Sequence, residues 1–142
     1  MGVRVGIKMR IADREVDTSA LVNSGFETDT PQVIIPNKLL IKFGIKLDEL
    51  GEYNKIEYDT AGGPIVMYVY PMSISLRVVV PDMKTNWIYA DAVISPIERE
   101  VILSDATIEE FKIVILSPKS GYWRFRDDPP NKVRESAKPV YW

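Results

Sequence analysis

The sequence predicts an all-β domain, a closed barrel with two short helices. Three observations carry this. Apolar residues recur at every second position in several segments, turns are frequent between short runs, and only two stretches show helical spacing. In a chain of 142 residues, 46% of them apolar, such strands close on themselves rather than forming a βαβ sheet.

The elements follow in order. Residues 3–11 put Val3, Val5, Ile7, Met9 and Ile11 on one face of a half-buried strand. After a polar turn, residues 16–22 pair back as a hairpin and deliver the chain to Asn23. A polar loop, residues 24–32, leads to the short apolar strand 33–36. Residues 37–44 read as a helix with Leu39, Leu40 and Phe43 on one side and Gly44 as its stop. Residues 45–55 are a polar connection. From Ile56 two strand-like runs flank the turn 61–64, and Pro71 marks an edge or a bend in the second.

Residues 86–95 and 99–104 are further strands. Residues 105–112 form the second helix, capped by Ser104 or Asp105. Residues 113–116 and 122–125 make a last hairpin. The sum is about eight strands, and no sustained internal repeat stands out. The predicted organisation is one domain, residues 1–126, and a polar C-terminal tail, residues 127–142. That tail is expected to be poorly ordered unless Val140, Tyr141 and Trp142 dock on something. Trp87, Tyr122 and Trp123 read as packing residues.

Composition excludes several chemistries. The chain has no histidine and no cysteine. The usual general base, the Ser-His and Cys-His nucleophile pairs and the common zinc ligands are therefore absent, and acid–base work falls to carboxylates, Lys or Tyr. Asp13, Asp17, Asp29, Asp48 and Asp59 lack calcium-loop spacing. No metal or cofactor is expected. A net charge of −2 with mixed signs gives no pull toward nucleic acid or membrane. The basic residues Arg124, Arg126, Lys132, Arg134 and Lys138 lie among aromatics but are diluted by Asp127, Asp128 and Glu135. No run approaches the ~20 apolar residues of a membrane span. The lack of cysteine fits a reducing compartment, and a cytoplasmic location is expected.

The informative stretch is residues 20–25, Ala-Leu-Val-Asn-Ser-Gly. A strand of small and apolar residues ends at a polar side chain, and Ser24 and Gly25 turn the chain. Gly25 permits backbone conformations that other residues avoid. A rigid strand thus holds Asn23 at the barrel mouth, as a catalytic group requires. Read alone, Asn-Ser-Gly is an ordinary turn.

Here the sequence resembles the retroviral-protease-like aspartic peptidases, and among them the archaeal and cellular single-domain members. "ALVNSG" stands where the family has two apolar residues, Asp, Ser or Thr, and Gly. "VIIPNKLLIKFGI" is similar to the strand and short helix that follow. "IEYDTAGGPIVMYVY" looks like the flap hairpin, "VILSDATIEEFKIVI" like the second apolar motif with its helix and strand, and "SGYWRF" like the closing hairpin. The resemblance spans roughly residues 3–126. Two residues depart from the pattern: Asn23 replaces the aspartate, and Ser104 replaces a glycine.

The resemblance implies an acid-protease-like barrel and a homodimeric endopeptidase that binds an extended peptide or unfolded protein. Asn23 occupies the catalytic aspartate's position, and Ser24 would hydrogen-bond across the twofold axis. The Gly25 backbone would line the groove. Asp59, Thr60, Ala61, Gly62 and Gly63 would form the flap over the substrate, with Tyr58, Met67 and Ile94 as pocket walls. An amide matches a carboxyl in shape but cannot act as the base, so this form is expected to be inactive. Asn23 is either a substitution made in a peptidase or a natural residue of a binding or dimerisation module. The intact loop and flap favour the first.

Overall fold

The computed structural model describes residues 2–142. The first two strands, β1 (Arg4–Ile11) and β2 (Arg14–Val22), form the expected hairpin. On the chain go β3 (Gln32–Pro36), α1 (Asn37–Lys42), β4 (Asn54–Thr60), β5 (Gly63–Val78), β6 (Ile88–Ser95), β7 (Val101–Leu103) and α2 (Asp105–Glu110). Three more strands, β8 (Ile113–Ser117), β9 (Tyr122–Phe125) and β10 (Arg134–Glu135), make a separate small sheet.

Six strands close the barrel in the order β1-β2-β7-β3-β6-β5, with β5 returning to β1. The all-β barrel with two short helices is thus the fold of this chain. The inward alternation of β1 drives closure: Val3, Val5, Ile7, Met9 and Ile11 are all at most 2% exposed. At about 25 cal/mol per Å² of apolar surface, such burial is the largest favourable contribution to folding.

β3 and β7 are buried on both faces, which is why they read as unbroken apolar runs. Val33, Ile35, Val101 and Leu103 point into the barrel core. Ile34 and Ile102 point the other way, into a smaller cluster with Met67, Val69 and Val93. Ile56, Tyr58, Phe26 and Ile65 pack over that cluster. A second apolar layer therefore lies between the barrel wall and the β4–β5 hairpin.

Pro71 marks a bend, as predicted. The β5–β6 register shifts between Tyr70 and Ile74, and Met72 adopts a positive φ of 51°. Extra residues in one strand bend it and increase its twist. The bulge lets β5 close the barrel with its second half and reach beyond it with its first. From Ile56–Met67 outward, β4 and β5 pair only with each other.

The fold contains a repeat that the sequence reading did not find. Each half runs strand, strand, strand, helix: β1-β2-β3-α1 and β5-β6-β7-α2. The pairings agree with a twofold relation. β2 runs parallel to β7 as β3 does to β6, and β1–β5 and β3–β7 pair antiparallel across the axis. Helix exits match too: Phe43 and Phe111 pack on the core, and Gly44 and Lys112 take φ values of 67° and 59°.

The second helix is capped as expected. Ser104 Oγ accepts from the Thr107 N–H at 3.3 Å and from the Gln32 N–H at 3.1 Å, joining α2 to β3. The polar connection 45–55 contains one short 3₁₀ turn, Leu47–Leu50, that buries Leu50.

The C-terminal tail meets its condition for order. The N–H of Val140 donates to Ser19 Oγ at 3.0 Å, and the Trp142 indole donates to Thr18 Oγ1 at 3.2 Å. The Trp142 ring lies 5.8 Å from that of Phe43. Arg134 is nearly buried and forms paired bonds with Asp82 and Asp128, tying β10 to the segment after β5. Trp123 is core and donates to the Glu135 carbonyl. Trp87 instead stacks under Arg10, 3.8 Å from ring centre to guanidinium carbon.

Candidate active site

Asn23 is the first residue past β2. Its N–H donates to the Leu103 carbonyl at 3.4 Å, so β7 fixes its backbone. Its side-chain Oδ1 accepts from the Gly25 N–H at 3.1 Å. The side chain is half-buried. The twofold-related position is Ser95, at the end of β6. There Oγ accepts from the N–H groups of Ile97 and Glu98 at 3.2 and 3.0 Å. Both strand ends thus turn under a polar side chain that caps the following amides.

Glycine at position 25 serves local packing rather than an unusual backbone angle. Its φ is not among the positive values of the chain. A Cβ at this position would stand 3.2 Å from Asn23 Oδ1. Glycine leaves room for residue 23 to fold onto the Gly25 amide.

The loop is anchored beyond the turn. The Phe26 N–H donates to the Asn23 carbonyl at 3.1 Å, and the Phe26 carbonyl accepts from the Asp105 N–H at 2.8 Å. Asp105 Oδ1 in turn accepts from the Thr28 N–H at 2.9 Å. Thr30 Oγ1 donates to buried Asp91 at 2.7 Å. Residues 23–30 are therefore held to α2 and β6 by bonds distributed along their length.

The β4–β5 hairpin stands opposite. Thr60 Oγ1 accepts from the Gly62 N–H at 3.2 Å and donates to the Gly63 carbonyl at 2.5 Å, closing the tip. Gly63 has φ 107°, a conformation that side chains with a Cβ disfavour. At the hairpin base, the Tyr58 hydroxyl donates to Gln32 Oε1 at 2.7 Å, and its ring meets Phe26 edge-on at 5.9 Å. Burial pushes the Tyr58 hydroxyl above the usual tyrosine range; the Asp91 charge adds to this, and the Gln32 bond opposes it. The group therefore remains a proton donor.

Between loop and hairpin lies a cleft of about 680 Å³, within the ~300–1,000 Å³ range of ligand sites. It brings together Asn23, Gly25, Asp59, Thr60 and Ala61 of the sequence-predicted set, with Tyr58 and Met67 as walls. Ser24 faces an adjoining groove beside Thr28 and Asp105. Gly62 and Gly63 shape the tip without lining the cleft, and Ile94 is buried in the barrel core rather than forming a wall. Phe26, Glu27, Ile34, Glu57, Glu98 and Ile102 also line the cleft and were missed. A signal existed for Ile34 and Ile102. Each is the middle residue of a doubly buried strand, so one face had to lie outside the barrel.

Among the described residues no cluster of potential metal ligands occurs, and no helix is long and apolar enough to cross a membrane. No family model matches the chain, and no curated protein matches it.

Proposed function

We propose that this chain is one half of a homodimeric aspartic endopeptidase of the retroviral-like type, inactive with Asn at position 23. The observation that carries the reading is the shared cleft: Asn23 on its anchored turn lies across from Asp59, Thr60 and Ala61 of an overhanging hairpin. The ordered motifs of the sequence agree with it.

The chemistry follows from putting a carboxyl at position 23. Two copies meeting about a twofold axis would bring two such groups together. Like charges that close cannot both ionise, so the pair holds one proton. The ionised member takes a proton from water as the water oxygen bonds to the scissile carbonyl carbon. The protonated member donates to the carbonyl oxygen. Collapse of the adduct breaks the C–N bond and sends a proton to the leaving amine. The Gly25 N–H would bond the ionised carboxylate as it now bonds Asn23 Oδ1. The hairpin closes over an extended peptide, pairs with its backbone and excludes water. No nucleic acid, membrane or cofactor has a part in this reading, and the cytoplasm is its expected location.

Asn23→Asp is the test. Assayed on unfolded protein and a peptide library from pH 3 to 7, it should show pepstatin-sensitive cleavage that the Asn23 form lacks. The gain should be several orders of magnitude, the scale expected for restoring the central group of a catalytic unit. A folded Asn23→Asp dimer with no cleavage would remove the reading.

A second reading takes Asn23 at face value. The amide oxygen Oδ1 accepts from the Gly25 N–H, and a peptide-binding or dimerisation module would need no more. It predicts peptide affinity without cleavage, even after Asn23→Asp.

A further inference from the structure

The outer face of the barrel carries a second surface with a chemistry of its own, and none of its residues lines the cleft. Strand pairing places it. Lys8 and Arg10 of β1 stand opposite Arg77 and Ser75 of β5, and Tyr89 of β6 stands opposite Ser75 on the other side. Their chain neighbours Ile7, Met9, Leu76, Val78 and Ala90 are buried in the barrel core, so these side chains point outward. Trp87, just before β6, joins them. Its ring centre lies 3.8 Å from the guanidinium carbon of Arg10 and 5.6 Å from that of Arg77.

The charges on this face are incompletely matched. Like charges directly opposite on paired strands destabilise a sheet, and Lys8 with Arg77 is such a pair. On β2, Asp17 approaches Lys8 at 3.8 Å and Glu15 approaches Arg10 at 3.7 Å. These are long contacts between solvent-accessible side chains and contribute little. Arg77 takes part in no ion pair among the described residues. Its contact with the Trp87 ring restrains it and lowers the ordering cost of using it. On the same face, Tyr89 is 67% exposed.

We infer that this face docks a partner protein through an acidic segment, with an Asp or Glu carboxylate on Arg77 and an apolar side chain on Tyr89. An Arg fork matches a carboxylate with two parallel hydrogen bonds. Arg, Trp and Tyr are also the residues that most often dominate protein–protein binding. Glu15 and Asp17 border the cations and decide against a nucleic-acid strand, whose continuous phosphates would meet them as like charge. Spaced carboxylates of a peptide avoid them. The inference stands apart from the peptidase reading, since it uses neither Asn23 nor the hairpin.

The experiment uses the chain as it stands. Three labelled peptides share a Leu-Phe centre and differ only in carrying Glu, Gln or Lys on either side. A labelled oligothymidine of similar length is the fourth probe. By fluorescence anisotropy at low salt, the Glu peptide should bind about fivefold tighter than the Gln peptide, the scale of one well-formed ion pair, and the Lys peptide weakest. Arg77→Gln, checked by thermal melt to be folded, should remove the difference between Glu and Gln. Tyr89→Ala should weaken both of those peptides. A Glu preference that persists in Arg77→Gln places the binding elsewhere and overturns the inference. Equal binding of the three peptides, no binding of any, or tighter binding of the oligothymidine than of the Glu peptide overturns it as well. The peptidase reading is untouched by these results, because its test is cleavage by Asn23→Asp.

Discussion

Position 23 shows how much one atom decides. Asn and Asp share a shape, and either can accept the Gly25 N–H through an oxygen. Only the carboxyl can take and return a proton near neutral pH. The surrounding residues hold that side chain still: Leu103 binds its backbone, and Gly25 leaves it space. Ser104 has an equally local but structural role. It is fully buried, and its hydroxyl serves the Gln32 and Thr107 amides at once. Ser104→Ala leaves both N–H groups without that acceptor and should cost about 1–2 kcal/mol. Urea unfolding checks this, and a loss near zero would mean that the bonds are replaced.

At the scale of elements, the outer β4–β5 hairpin has less strand support than the barrel. Beyond Ile56–Met67 it has no third strand, and its tip touches solvent. The Tyr58–Gln32 bond and the Phe26 contact hold its base to the barrel. Tyr58→Phe keeps the ring and removes the bond, a change of about 1 kcal/mol. Amide hydrogen exchange across residues 56–67 should quicken by roughly fivefold, with β1 and β2 unchanged. Uniform quickening would show instead that Tyr58 supports the whole fold.

The same scale shows what a sequence can disclose. Strand β1 was legible because one face is buried and one is wet, so its residues alternate. Both helices were legible because Gly44 and Ser104 mark a stop and a start. The cleft was only half legible. Asn23, Gly25 and Asp59–Ala61 lie in motifs, but Glu98 and Ile102 reach it from distant chain positions that only barrel closure unites. The internal repeat escaped because its halves do not keep one spacing. Val33 corresponds to Val101, but Ala20 to Ala92, and the bulge in β5 shifts register again. Strand β10 carries too few residues to show any period. Its order comes from Arg134 and its two carboxylates.

For the whole molecule, that cluster sets an acid limit. Hydrogen bonds from Arg134 hold Asp82 down to about 2 from an ordinary 3.8, and lower Asp128 as well. Arg134 is raised above its usual range and stays charged throughout. A depressed carboxylate stabilises the fold fully above its unfolded value, and that contribution is lost as pH falls through the folded one. Stability should therefore decline between about pH 4 and pH 2. Asp82→Asn should be less stable at pH 7 and show a flatter decline over that window, measured by thermal melts. An unchanged slope would place the acid-sensitive groups elsewhere. This limit lies below most of the pH range set for cleavage by the Asn23→Asp variant, so the fold should persist while its dyad is assayed.

The central claim is that residue 23 of one copy faces residue 23 of another. The chain has no cysteine, so Asn23→Cys introduces a single thiol as a reporter. A disulfide requires Cα atoms within roughly 4.4–6.8 Å. Under mild oxidation the variant should convert to a covalent dimer far faster than Ser120→Cys, placed in the exposed β8–β9 turn. Crosslinking of Asn23→Cys no faster than that control, in protein that remains folded, would contradict the account.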